Sequence, residues 1–354
     1  MSRIIVAPDS FKGSLTAKQV AQIISTQLRK RLPDSEIIEI PLADGGEGTK
    51  AILAPFTPDT VCLIETAQLI GLNLPEMSST HVMQRGSDRL GRVIVAGLDV
   101  GKRDFVIALG GSATNDCGLG MLMALGMRAF DEDGVIVDSN LCGLLTVKSI
   151  DISALDPRLA ESRLTVLTDV ISPLAGENGA TAIYGPQKGV QTDDLDRVDR
   201  VINDFAGLCG DAFGFSCASQ EGAGAAGGLG FALILLDGKV VSGAKYVMDK
   251  TGFHHALNNA DWVITGEGCS DAQTLQGKLP LKVAQAARSA GAKVALVSGS
   301  LDQGILLELE NEFDLLISAK HGGISVDQAL QQAEELLKQA TERFISASYS
   351  SLLF

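Results

Sequence analysis

The two ends of this chain are written in one pattern, and that pattern limits the folds open to it. Residues 3–8 form a short apolar strand. Val20, Ile23, Ile24 and Leu28 then recur at helical spacing, behind a Thr16-x-x-Gln19 capping box. Glu36 to Ile40 alternates as a second strand. The C-terminal part repeats this grammar. It has strands at Asp261–Thr265, Lys293–Val297 and Leu315–Ser318, a helix through Val283 to Ala290, and a final helix with Val326, Leu330, Ala333, Leu337, Ala340 and Phe344 on one stripe. Alternating strands and helices require a parallel sheet with helices on both faces.

The middle, roughly residues 60–254, is less regular. It holds a fully apolar strand at Phe105–Leu109, a glycine-rich loop, a helix, and strands near Leu164–Leu167 and Thr181–Tyr184. The expected fold class is therefore α/β. Residues 1–60 and 255–354 build a discontinuous, Rossmann- or flavodoxin-like three-layer parallel-sheet domain. Residues 61–254 form a second, inserted α/β domain, with boundaries set to within about ten residues. A cleft between two such domains is the natural place for a ligand.

Composition narrows the function. Of 354 residues, 45% are hydrophobic and 20% charged, as in a soluble globular protein whose core needs no staples. The six cysteines form no C-x-x-C, so neither a zinc site nor a disulfide framework is indicated. They read as reduced thiols of a cytoplasmic protein. Only four histidines occur, which argues against a histidine-built metal site. A net charge of −14 opposes nucleic-acid binding. The N-terminus has no signal-peptide character, and no apolar stretch of about 18 residues suggests a membrane span. Oligomeric state is not written in the sequence.

Glycine clusters at ADGGEGT (43–49), GGSATNDCGLG (110–120), GAGAAGGLG (222–230), GEG (266–268) and HGG (321–323), each beside an apolar run. Functional turns on a rigid frame look like this. FVIALGGSATND is strand, glycines, then helix. Its spacing fits two readings: an anion nest of backbone amides, with Ser112, Thr114 and Asn115 as further donors and Asp116 as a cation ligand, or a tight βα turn. Residues 222–227 spell G-x-G-x-x-G, but no strand precedes them, which demotes a dinucleotide site to close backbone packing. The P-loop, protein-kinase and G-x-S-x-G motifs are absent. Carboxylates gather at strand ends: Asp9, Asp44 with Glu47, Asp169, Glu267 and Asp271. Taken singly, each fits a cap or a solvated loop residue. Interleaved with glycines and with Lys12, Lys188 and Lys278, they suit Mg²⁺ and phosphate in one pocket. Lys12, just before a helix start, opposes the helix dipole unless an anion sits there.

In this order, APDSFKGSLTA, PLADGGEGT, GGSATND, TDVISPL with YGPQKG, GAGAAGGLG and ITGEGCSDAQTLQGK closely resemble the bacterial type I glycerate kinases, from about residue 4 to about residue 300. The final 50 residues of the chain match in general character only. Three positions depart from the family pattern: Cys117 stands for a glycine, Cys269 for an arginine and Ser172 for an asparagine. The resemblance implies ATP-dependent, Mg²⁺-assisted phosphorylation of D-glycerate to 2-phosphoglycerate, by in-line transfer in an interdomain cleft. It implies Lys12, Asp44, Asp169 and Lys188 as catalytic residues, with Asp44 or Asp169 accepting the hydroxyl proton. Gly110, Gly111, Ser112, Thr114, Asn115, Gly224, Gly227 and Gly228 would hold the nucleotide. Asp9, Ser10, Gly45, Gly46 and Glu47 would hold glycerate, and Glu267 or Asp271 the metal. An NAD-dependent oxidoreductase and a non-catalytic sugar-acid sensor are the competing readings.

Overall fold

A computed structural model describes residues 2–320 and 323–349, so the first two residues of the HGG run lie outside it. The chain divides into two compact units. One comprises Met1–Asp44, Ala51–Phe56 and Ala244–Phe354; the other comprises Gly45–Lys50 and Thr57–Gly243.

The first unit is built on a five-stranded, all-parallel sheet. Its spatial order is Leu315–Ser318, Lys293–Ser298, Trp262–Thr265, Arg3–Val6, Glu36–Glu39. Counted within the unit, this is the flavodoxin-like order 2-1-3-4-5. Ile4 and Val6 turn to one face and join a core with Val20, Ile24 and Leu28 of the helix Ala17–Arg31 and with Leu337 and Phe344 of the helix Ala333–Ser348. Trp262 meets Phe344 edge-on at 5.3 Å between ring centroids. Side chains of the other parity (Ile5, Val263, Val294 and Leu296) are buried on the opposite face. The helix Leu279–Ser289 packs against those strands. The expected capping box is present: Thr16 Oγ1 accepts from the Gln19 N–H at 3.3 Å, and Gln19 Oε1 accepts from the Thr16 N–H at 2.9 Å.

The second unit has a four-stranded parallel sheet in sequential order: Val61–Glu65, Asp104–Ala108, Arg163–Leu167, Lys239–Val241. An antiparallel ribbon pairs Arg128–Phe130 with Ser149–Asp151. Ile94, Phe105, Leu122, Ile202, Phe205 and Phe231 belong to one core.

Two elements differ from the sequence reading. Thr181–Tyr184 is not a strand but part of the helix Ala180–Lys188, which ends at Gly189 with φ 97°. Four residues are too few for periodicity to separate strand from helix. The final stripe belongs to two helices, Val326–Gln331 and Ala333–Ser348, joined at Gln332. Leu337, Ala340 and Phe344 are buried as expected, but Val326 is 64% and Leu330 41% exposed. Helical spacing runs unbroken through the sequence, whereas Gln332, at φ −105° and ψ 15°, interrupts the chain there.

Candidate functional site

In the first unit the strand order reverses between Arg3–Val6 and Trp262–Thr265, and ligands of such sheets collect beyond the carboxyl ends of the strands at that point. Pairing continues past both strands: the Ala7 N–H donates to Ile264 O and the Asp9 N–H to Gly266 O, both at 2.8 Å. This sets Asp9 beside the Gly-Glu-Gly turn. The chain then closes a small loop, in which the Phe11 N–H donates to Leu15 O at 2.8 Å and the Leu15 N–H to Phe11 O at 3.0 Å. The exposed Lys12 lies in that loop. Asp9, Ser10, Lys12, Asp44, Glu267 and Asp271 line a cavity of about 460 Å³, together with Lys278 and Lys320.

The charges here are unevenly satisfied. Glu267 accepts from Thr274 Oγ1 at 2.6 Å and Ser270 Oγ at 3.0 Å. Lys278 Nζ stands 3.3 Å from Asp271 and 3.9 Å from Glu267. Burial raises the Glu267 pKa, opposed by the Thr274 bond and by Lys278. Burial, then the Asp44 charge, pushes Asp9 well above the usual carboxylate range; the Ser10 N–H and Lys12 oppose them. Lys12 and Lys320 make no ion pair among the described residues. Among those residues no three His, Cys, Asp or Glu side chains close into a metal cage. Mg²⁺ does not require one, since it binds through one or two carboxylates plus substrate phosphates and water. A buried carboxylate under like-charge repulsion suits such an ion.

In the second unit the GGSATND loop is held from below by two buried cations. Lys188, 4% exposed, donates from Nζ to Thr114 O at 2.8 Å and to Ser112 Oγ at 3.3 Å. Arg85, 8% exposed, donates to Lys188 O at 2.7 Å, Thr80 O at 2.9 Å and Ala113 O at 3.4 Å. The carbonyls of residues 113 and 114 are thus drawn inward, while among the described residues no backbone acceptor takes the N–H groups of Gly111, Ser112, Thr114 or Asn115. Thr114 Oγ1 and Asn115 Oδ1 are buried without partners. These are the features of an anion nest. Burial lowers the Lys188 pKa to about 7, with Arg85 lowering it further and Asp116 opposing. Lys188 therefore acts from beneath the loop, not as a surface cation.

Other expected site residues take different parts. The Asp116 carboxylate is engaged within the protein: it accepts from the Ser87 N–H at 2.8 Å, Ser87 Oγ at 2.7 Å and the N–H groups of Gly118 and Gly120. Gly45 and Gly46 lie under Gly110, whose N–H donates to Gly45 O at 2.9 Å; a Cβ on Gly110 would lie 2.5 Å from Gly46 Cα. Glu47 is exposed and accepts from Asn73 Nδ2. Asp169 accepts from Ser242 Oγ at 2.6 Å. Gly224, Gly227 and Gly228 serve close packing. The Gly224 N–H is taken by Ser172 O at 3.0 Å, and Gly227 O accepts from the Cys117 N–H at 2.9 Å. A Cβ on Gly227 would lie 2.2 Å from Thr114 O, at a backbone φ of +70°. Gly227→Ala is accordingly expected to destabilise the protein by about 3 kcal/mol, read as a lowered midpoint in urea.

Sequence reasoning missed Arg85, Ser87 and Glu65. The buried Glu65 carboxylate accepts from the N–H groups of Gly48 (3.0 Å) and Lys50 (2.8 Å), fixing the turn after GGEG. None of the three stands in a motif.

The sequence model of the Glycerate kinase family matches residues 4–60 and 54–348. The chain is 38% identical to a glycerate kinase of Halalkalibacterium halodurans, with 98% of each chain covered. It is 33% identical to the glycerate 2-kinase of Escherichia coli, with 96% of each covered. A crystal structure described as a glycerate kinase 2 from Salmonella typhimurium LT2 superposes with a TM-score of 0.79 over 100% of both chains, at 32% identity.

Proposed function

The chain belongs to the glycerate kinase family, and on that premise we propose that it transfers the γ-phosphoryl group of ATP to D-glycerate, with Mg²⁺, giving 2-phosphoglycerate. The observation that carries this reading is the pairing of Asp9 and Glu267 with Lys12 and Lys278 in one cavity at the switch point of the first unit. Phosphoryl transfer needs positioning and charge neutralisation more than covalent chemistry. Lys12 and Lys278 supply positive charge to transferring phosphate oxygens. Asp9 and Glu267 are the carboxylates that would hold Mg²⁺, with Asp271 fixing Lys278 beside them. When bound, the ion neutralises charge on the phosphates. Asp44, in the same cavity, accepts the proton of the glycerate hydroxyl. The amides of residues 111–115 in the second unit are left for an anion. Residues 222–227 do not act as a dinucleotide site, since a kinked backbone and close packing occupy them. The six free cysteines suit a cytoplasmic enzyme.

A coupled ADP-release assay across small hydroxy acids tests the substrate, and phosphorus NMR of the product separates the 2- from the 3-phosphate. Turnover with D-glycerate well above that with other hydroxy acids, and a 2-phosphate signal, are expected; a 3-phosphate would refute the regiochemistry. Lys12→Ala removes an exposed side chain, so the fold should survive. A fall in kcat/KM of at least about tenfold, roughly 1.4 kcal/mol in the barrier, is expected; near wild-type turnover would make Lys12 a bystander.

A further inference from the structure

The cavity of the first unit is larger and more apolar than a three-carbon acid and a phosphate chain need. Its volume, about 460 Å³, falls within the ~300–1,000 Å³ of pockets that take drug-sized ligands. Asp9, Lys12, Glu267 and Lys278 line it. So do Val326, Ala329, Leu330, Ala333 and Leu336, with Leu330 beside the Lys12 loop, 3.9 Å from where a Gly13 Cβ would stand. Val326 and Leu330 are among the large hydrophobic side chains the fold leaves exposed. They stand on the short helix whose start is fixed by a capping box, the Gln328 N–H donating to Ser325 Oγ at 3.2 Å and Ser325 N–H to Gln328 Oε1 at 3.0 Å. An apolar wall held in place yet left open, continuous with a patch of cations and carboxylates, matches a ligand flat and apolar at one end and polyanionic at the other.

We propose that the Val326–Leu330 wall binds the adenine ring of ATP, so that the whole nucleotide lies in the cavity of the first unit with its phosphates at Lys12 and Lys278. The assignment rests on the kinase reading for the choice of nucleotide, but on the cavity for its place. Lys320, half-buried in the same lining and without an ion pair among the described residues, is a further cation for the phosphates. Stacking of the base on aliphatic side chains needs no polar partner, which explains why this wall carries no motif.

Photolabelling of the full-length protein with 2-azido-ATP, read by mass spectrometry, should place the label in the tryptic peptide 321–338. In parallel, calorimetry compares ADP with tripolyphosphate, which has no base. The double variant Val326→Asn/Leu330→Asn is expected to bind ADP about tenfold more weakly while its affinity for tripolyphosphate stays at the wild-type value. Circular dichroism and a melting curve matching the parent establish that the variant is folded, so that a loss of both ligands is not a loss of structure. Label in the peptide 104–128, which holds the GGSATND loop, or an equal loss for both ligands, would overturn the assignment. If nucleotide labels 321–338 but no phosphate reaches glycerate, the kinase reading fails and the nucleotide site stands.

Discussion

Asp9→Asn is expected to lower kcat/KM for glycerate phosphorylation about a thousandfold, roughly 4 kcal/mol in the barrier, while leaving the protein as stable as the parent at pH 8, or more so. Asp9 is buried, close to the Asp44 charge, and its pKa lies well above the ordinary carboxylate value. A carboxyl group whose folded-state pKa is raised binds its proton more tightly in the folded than in the unfolded chain. The stability it contributes is complete below the unfolded value of about 4 and is lost as pH rises through the folded value. At pH 8 the carboxyl group is a liability, and asparagine removes it while keeping a similar shape. The proposed metal role has the opposite need, since it takes the carboxylate to attract Mg²⁺. Activity assays paired with melting curves at pH 5 and pH 8 check this. The parent should lose stability between them, and Asp9→Asn should lose less. An active Asn variant, or one destabilised at pH 8, would remove Asp9 from the metal site. Activity conserved at the expense of stability is a familiar trade in binding sites.

Arg85→Ala is expected to cost about 3 kcal/mol of stability, or roughly 8 °C in the melting temperature of the second unit. The guanidinium is buried and donates to the carbonyls of Thr80, Ala113 and Lys188. Removing it leaves three carbonyl oxygens without their donor, each in a place poor in water. Lys188 then loses the bond that fixes its own backbone, and with it the aim of Nζ at Thr114. Thermal denaturation reads the first effect. The second is read as a loss of kcat/KM larger than the loss of folded protein explains, because the amides above Arg85 are left for an anionic group. Arg85→Lys should recover part of the stability, since one of the three carbonyls can still be served. If Arg85→Ala melts with the parent, the loop is held by something other than these cations.

How far the residues alone led depends on the kind of signal. The parallel sheet of the first unit was legible because its strands are short apolar runs, each followed by a helix with an apolar face. The Thr16–Gln19 cap was legible because two side chains three residues apart satisfy each other locally. Thr181–Tyr184 was misread because four residues carry too little periodicity, and the break at Gln332 because spacing says nothing about a local change of ψ. At the site, Asp9, Lys12, Glu267 and Asp271 could be picked out because they follow strands and adjoin glycines. Arg85 and Glu65 could not: their partners are backbone groups, Arg85 reaching as far as Lys188 O and Glu65 back to Gly48 and Lys50, and backbone groups leave no mark in a sequence. The same limit hid the support that Lys188 and Asp116 give to backbone groups around the GGSATND loop.

The central pair of strands in the first sheet, Arg3–Val6 and Trp262–Thr265, brings Ile4 beside Trp262. On a growing chain the N-terminal strand pairs early with Glu36–Glu39 but must wait for most of the protein to be made before its other neighbour arrives, whereas the second unit holds all four strands of its sheet by residue 241. Contacts so distant are slow to form, and domains fold as units during synthesis. The segment that interrupts the first unit should thus be the first to reach its native state on the ribosome, with the opening residues held back as an unpaired edge that a chaperone has reason to cover.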